Sequence, residues 1–68
     1  MTTHQFKSKF HDLNAQVVAP SKTEAILILL RAYLKRLVDD CPLIDPDMFD
    51  AMRQDYIEFL NTAQYCAA

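Results

Sequence analysis

Apolar residues recur at helical spacing in three successive segments of the chain. In the first segment they fall at intervals of four, three and four residues, on one face of a helix: Phe6, Phe10, Leu13 and Val17. Thr2 and Gln5 match a capping box at its start, and Pro20 ends it. The pattern predicts an amphipathic helix over about residues 3–18.

The second segment contains six apolar residues in a row, Ala25–Leu30. Ser21 and Glu24 form a capping box ahead of it, which predicts a helix over residues 22–40. Two apolar seams run along the surface of this helix. One is formed by Leu27, Leu30, Leu34, Leu37 and Cys41, and the other by Ile26, Leu29 and Tyr33. A helix that is apolar on most sides must be covered on most sides, so the segment predicts a partner surface.

The third segment begins after two chain-breaking prolines, Pro42 and Pro46. Asp45 followed by Pro46 is a strong helix start, because the carboxylate caps the first turn and the proline ring already has a helical φ angle. A three–four repeat then runs through Phe49, Met52, Tyr56, Phe59, Ala63 and Cys66. It predicts a helix over residues 46–66 that packs antiparallel against the second helix.

These elements predict an all-α fold, with a short N-terminal helix and an antiparallel helical hairpin in one domain over residues 1–68. A chain of this length buries only about 60% of the surface that its unfolded form exposes. One hairpin leaves the second seam of the central helix without enough cover. The sequence therefore predicts a homodimer that pairs two hairpins into a helical bundle, and insertion into the groove of another protein is the alternative.

Composition narrows the possible functions. Glycine is absent, which excludes the common Gly-rich nucleotide-binding loops. Cys41 and Cys66 fall near the ends of successive predicted helices, too far apart for a disulfide, and reduced thiols fit a reducing compartment. The apolar run is too short to span a bilayer, and the N-terminus lacks the layout of a signal peptide. We therefore expect a cytoplasmic protein with no membrane partner.

Charge is distributed unevenly along the chain. Residues 1–20 and residues 21–40 each carry a formal charge of +1, whereas residues 41–68 carry −4, from one arginine against five acids. A protein that binds nucleic acid through its phosphates needs Lys and Arg clustered on one face. The sequence shows no such cluster, and nucleic acid is not predicted as the partner.

No residue set spells out a catalytic, cofactor-binding or metal site. His4 and His11 lie seven residues apart, too distant on a helix for one metal ion. Asp45, Asp47 and Asp50 are explained by capping and by the positive end of the helix dipole. We therefore expect a protein that is not an enzyme and that needs no cofactor.

Two stretches resemble known families. Ser21–Ile26 and Leu30–Leu34 resemble the second helix of ribbon-helix-helix DNA-binding proteins, in which a serine cap opens a helix of the intertwined dimer. The sequence departs from that family at Pro20, where glycine is usual. The resemblance implies DNA binding by a small dimeric transcription regulator, here through Lys7, Lys9, Lys22 and Arg31.

The second resemblance is architectural. A helix, a proline-marked turn, Pro46–Ala51 and an amphipathic helix that ends in Leu60 and Ala63 are similar to the small hairpin co-chaperones of type III secretion. Those proteins join a helical-repeat partner to keep the needle subunit soluble. The resemblance implies that the exposed apolar seam binds another protein.

The pattern favours a non-enzymatic interaction module that acts as a small regulator, inhibitor or co-chaperone through an exposed apolar helix seam. A DNA-binding regulator of ribbon-helix-helix type is the alternative. Tyrosine is a frequent interface anchor, and the cations near Tyr33 would help to select the partner. The predicted protein-binding residues are Ile26, Leu27, Leu30, Arg31, Tyr33, Leu34, Lys35, Phe59 and Leu60.

Overall fold

Two helices pack on one face of a three-stranded sheet, and a computed structural model describes this fold over residues 1–67 apart from the side chain of His11. In chain order the elements are β1 (Thr2–Ser8), β2 (Leu13–Ala19), α1 (Lys22–Asp40), α2 (Pro46–Thr62) and β3 (Gln64–Ala67). The sheet is antiparallel in the order β2-β1-β3, with β1 in the centre. The fold is α+β, so the predicted all-α helical hairpin is wrong.

The predicted N-terminal helix is replaced by the β1–β2 hairpin. The residues of this segment alternate between the two sheet faces, and those on the helix side include His4, Phe6, Val17 and Ala19, all buried. Phe10 supported the helical spacing but is 76% exposed in the turn. The period-two signal was weak because histidine and alanine, which are not strongly apolar, occupy several inward positions.

The turn between β1 and β2 is built from local polar contacts. The Phe10 amide donates to the Ser8 hydroxyl at 3.1 Å, and a short 3-10 turn covers Phe10–Asp12. Asp12 has a φ of 50°, in the left-handed region that aspartate tolerates better than most residues.

The predicted helix over residues 22–40 is confirmed as α1. Its N-cap is Ser21, whose hydroxyl accepts a hydrogen bond from the Glu24 amide at 3.3 Å. The helix follows β2 after a two-residue connection and lies against that strand. Its N-terminal half buries Ala25, Ile26 and Leu30.

Helix α2 begins as predicted, with the Asp45 carboxylate accepting from the Asp47 amide at 2.8 Å. It ends at Thr62, four residues before the predicted boundary, and the remaining segment forms β3. The Thr62 hydroxyl donates to the carbonyls of Glu58 and Phe59 at 3.1 Å each. Strand β3 pairs with β1, with Tyr65 opposite Phe6. Tertiary pairing therefore overrides the helical spacing here.

The core lies between the sheet and the helix halves that are nearest to it. Its fully buried members are Phe6, Val17, Ala19, Ala25, Ile26 and Leu60. Between residues 31 and 59 no residue is fully buried. The far halves of both helices are therefore packed only in part, on each other, and the molecule is elongated, with extents of 39 × 24 × 16 Å.

Candidate functional site

The nine predicted protein-binding residues are spread over very different environments. Three are buried: Ile26, Leu30 and Leu60. Three are half-buried: Tyr33, Leu34 and Phe59. Three are exposed: Leu27, Arg31 and Lys35. The structure therefore does not bring all nine together on one surface.

The apolar run of α1 is covered on one side only. The fold buries three of its six residues, whereas Leu27 and Ile28 remain 43% and 45% exposed. Much of the cover is the sheet, which the helical spacing did not predict. The need for a partner to cover this run is accordingly smaller than the sequence indicated.

A groove beside the two helices, here called the interhelical groove, is lined mostly by apolar side chains. Its inner section is lined by Leu13, Tyr33, Met52, Asp55, Tyr56 and Phe59. The rings of Tyr33 and Tyr56 stack in parallel, with centroids 4.0 Å apart and planes 3° apart. Phe59 follows at a centroid distance of 6.0 Å from Tyr56. Three aromatic rings thus lie side by side along this section.

The outer section of the interhelical groove lies at the loop that joins the two helices. It is lined by Leu37, Cys41, Pro42, Leu43, Ile44, Asp45, Met48 and Met52. Met52 lines both sections, so the two sections adjoin at this side chain. Leu43 is 98% exposed and Met48 is 56% exposed, so both present apolar surface to solvent.

Helix α2 forms one wall of the groove because of its residue spacing. Met48, Met52, Tyr56 and Phe59 follow one another at intervals of four, four and three, which places them along one face of the helix. Met48 and Phe59 are eleven positions apart, which corresponds to about 16 Å at 1.5 Å per residue. The wall is therefore about three helical turns long.

The charges along the groove are acidic. Asp55 lines the inner section and Asp45 the outer one, and in residues 1–67 neither section is lined by a lysine or an arginine. Asp47 and Asp50 lie on the first turns of α2. The groove thus combines an apolar floor with a negative rim.

Tyr56 lies half-buried in the inner section of the groove, with its ring stacked on that of Tyr33. Burial raises the pKa of Tyr56 above its ordinary value, and the nearby Tyr33 adds to this effect. A raised pKa means that the folded state disfavours the ionised tyrosinate. The contribution of Tyr56 to the free energy of unfolding is therefore fully present below the unfolded pKa of about 10, and it is lost as the pH rises through the folded pKa.

We expect Tyr56→Phe to remove part of this alkaline loss of stability. The melting temperature of the parent protein should fall more between pH 8 and about pH 11 than that of the variant. Thermal unfolding by circular dichroism at both pH values measures this difference. An identical loss in both proteins would show that Tyr56 does not titrate differently on folding.

A polar network at the far end of the sheet holds β3 in place. His4 is 3% exposed; its Nε2 donates to the Ala19 carbonyl at 3.1 Å, and its Nδ1 lies 2.6 Å from the Tyr65 hydroxyl. A carbonyl can only accept, so in the neutral ring Nδ1 accepts the hydroxyl proton of Tyr65. Both ring nitrogens are thereby used structurally, and we assign His4 no catalytic role.

The basic residues that the DNA-binding alternative requires do not share one face. Lys7 alternates with the inward Phe6 on β1 and lies on the open face of the sheet. Lys22 lies on the helix side, where its Nζ is 4.5 Å from the centroid of the Tyr65 ring. This cation–π contact gives Lys22 a structural partner.

Other kinds of site are not indicated by the described residues. Within residues 1–67 no three His, Cys, Asp or Glu side chains are close enough to hold a metal ion, and the His11 side chain lies outside this description. Cys41 and Cys66 are free and exposed. Neither helix of the described part is long and apolar enough to cross a membrane.

Comparison with family models, with curated proteins and with solved structures finds no match. The two resemblances noted in the sequence therefore stay predictions. Of the predicted protein-binding residues, Tyr33 and Phe59 line the groove; Leu43, Ile44 and Met48 also line it and were not predicted. The available signal was the pair Met48 and Met52, four residues apart and in register with Tyr56.

Proposed function

We propose that this chain is a non-enzymatic protein-binding module, a small regulator, inhibitor or co-chaperone, and that its partner binds in the interhelical groove. The observation that carries the proposal is the pair of adjoining apolar depressions beside α2, next to a stretch, residues 31–59, that has no buried residue. Apolar side chains exposed together on a small protein typically mark an interaction site.

The dimensions of the groove favour a helical segment of the partner. An amphipathic helix binds such a groove through anchors at intervals of three and four residues, and a wall of about three turns accommodates three or four of them. Met48 and Met52 contribute flexible side chains that adapt to different anchors. Tyr33 and Tyr56 contribute rigid rings, which lose little conformational entropy on binding.

The rim of the groove defines the chemistry of that segment. Asp45 and Asp55 would repel an acidic peptide and attract lysine or arginine next to its apolar anchors. We therefore propose a basic amphipathic helix as the bound element. Exposed charges of this kind govern specificity and association rate more than affinity, and salt should weaken their effect.

Fluorescence anisotropy with three labelled helical peptides tests the proposal. The peptides share one leucine-rich face and differ in carrying lysine, glutamine or glutamate elsewhere. We expect the lysine peptide to bind at least about tenfold more tightly than the glutamate peptide at low salt, which corresponds to about 1.4 kcal/mol. Failure of the lysine peptide to bind, or equal binding of all three, would contradict the proposal.

A pair of double variants locates the binding surface. Leu43→Ala with Met48→Ala truncates two exposed groove residues, and Leu27→Ala with Ile28→Ala truncates two exposed residues that do not line the groove. The first double variant should raise the dissociation constant of the lysine peptide at least about tenfold, and the second should change it by no more than about twofold. A larger loss in the second variant would move the site to α1.

A further inference from the structure

Strand β2 leaves one edge of the sheet open. It pairs with β1 on one side, and in the described part of the chain no strand lies along its other side. An edge strand of this kind presents a row of backbone N–H and C=O groups that can pair with another strand. With seven residues, β2 is longer than β3, the four-residue strand at the opposite edge.

The sequence of β2 lacks the features that normally protect such an edge. Leu13–Ala19 contains no charged residue and no proline. Natural proteins commonly place lysine, proline or a bulge there to prevent edge-to-edge association. An edge without them is free to associate.

We propose that a second copy of this chain pairs antiparallel with β2 and extends the sheet to six strands. In a two-fold symmetric pair each residue of the strand lies beside a residue of the same strand. Any charge on β2 would then stand close to an identical charge near the axis. An uncharged strand meets this condition.

The side-chain pattern of β2 also fits this arrangement. A pairing centred on Gln16 places Ala15 beside Val17 of the second copy on the helix side of the sheet. It places Asn14 beside Val18 and Gln16 beside itself on the open face. Inward residues meet inward residues, so the two cores become continuous and all four helices lie on one side.

Two copies that pair through β2 and β2 form a closed dimer, whereas copies that pair through β2 and β3 do not. Pairing of β2 with the β3 edge of another copy would leave free edges at both ends and would continue into a filament. Pairing of β2 with itself uses both long edges and stops at two copies. The remaining edges are the short β3 strands.

This interface differs from the helical seam that the sequence predicted for the dimer. It involves the sheet edge, which shares Leu13 with the inner section of the interhelical groove and shares no residue with the outer section. Binding at the outer section can therefore be tested separately from the dimer.

Size-exclusion chromatography with light scattering tests the inference on three variants. Gln16→Lys and Gln16→Glu place like charges together at the two-fold axis. Gln5→Lys is the matched control, since Gln5 lies opposite Gln16 on the open face but belongs to the central strand. We expect a dimer for the parent and for Gln5→Lys, and at least about tenfold weaker association for both Gln16 variants at low salt.

Mixing the two Gln16 variants completes the test. Lysine opposite glutamate should restore the dimer as a heterodimer, which would exclude misfolding as the cause of the loss. A parent protein that is monomeric at all concentrations would overturn the inference. So would a Gln16→Lys variant that dimerises as tightly as the parent, or a mixture that stays monomeric.

Discussion

Leu60→Ala is expected to destabilise the protein by about 2–5 kcal/mol, because the substitution leaves a cavity in a core that has few residues to fill it. Leu60 is 0% exposed and packs with the core that joins α2 to the sheet. A domain of this length has a total stability of about 3–10 kcal/mol. We therefore expect a large loss of folded protein, measured by urea unfolding followed by circular dichroism.

Leu43→Ala is the matched control for this experiment. Leu43 is 98% exposed, so its truncation should change the free energy of unfolding by no more than about 0.5 kcal/mol. The two leucines are thus expected to separate folding from binding, since Leu43 lines the groove. Similar unfolding curves for the two variants would contradict a large contribution of the buried Leu60 side chain to the stability of the core.

His4→Phe is expected to cost about 1–3 kcal/mol, since it keeps a ring of similar shape but removes the donor to the buried Ala19 carbonyl. The Tyr65 hydroxyl also loses its partner, although Tyr65 is 36% exposed and its hydroxyl can turn to water. Urea unfolding measures the effect. The substitution removes the two side-chain hydrogen bonds by which His4 on the central strand contacts Ala19 of β2 and Tyr65 of β3.

Tyr65→Phe provides the graded comparison. It removes one hydrogen bond and leaves His4 bound to Ala19, so we expect a cost of about 0.5–1.5 kcal/mol. The tilted ring contact of Tyr65 with Phe6, with centroids 5.2 Å apart, is retained. We thus expect the hydrogen bond from His4 to the buried Ala19 carbonyl to stabilise the fold more than the one between His4 and Tyr65. A Tyr65→Phe variant that is less stable than His4→Phe would contradict this expectation.

The helix starts were predictable because each is determined by a few local residues. Ser21 with Glu24, and Asp45 with Pro46, place a capping acceptor directly ahead of a helical stretch, and both helices begin there. The signal needs no information from distant parts of the chain. The full length of α1 was predictable for the same reason, since its apolar seams are unbroken.

The sheet was not predictable from the same spacing rules. Four apolar residues in the first segment fit a helical face, although Phe10 among them ends in an exposed turn. The competing alternation includes His4, which is buried because Tyr65 and Ala19 satisfy its ring. Tyr65 lies 61 residues away in sequence, and no local pattern contains that contact.

The candidate site was predictable only where the seam and the groove coincide. Tyr33 and Phe59 were identified as apolar positions on facing helices, and both line the groove. Ile26, Leu30 and Leu60 belong to the same seams but are buried. The difference arises because the sheet covers one half of the helix pair and leaves the other half open, which follows from the tertiary fold alone.

Amide chemical-shift mapping with the lysine-rich amphipathic peptide is the most direct measurement of groove binding. Titration into isotope-labelled protein should shift the amides of Met48, Met52 and Tyr56 in proportion to occupancy, and should leave Gln5 and Gln16 on the open sheet face unchanged. Shifts concentrated on the sheet, or no shifts at peptide concentrations well above those of the protein, would contradict binding in the interhelical groove.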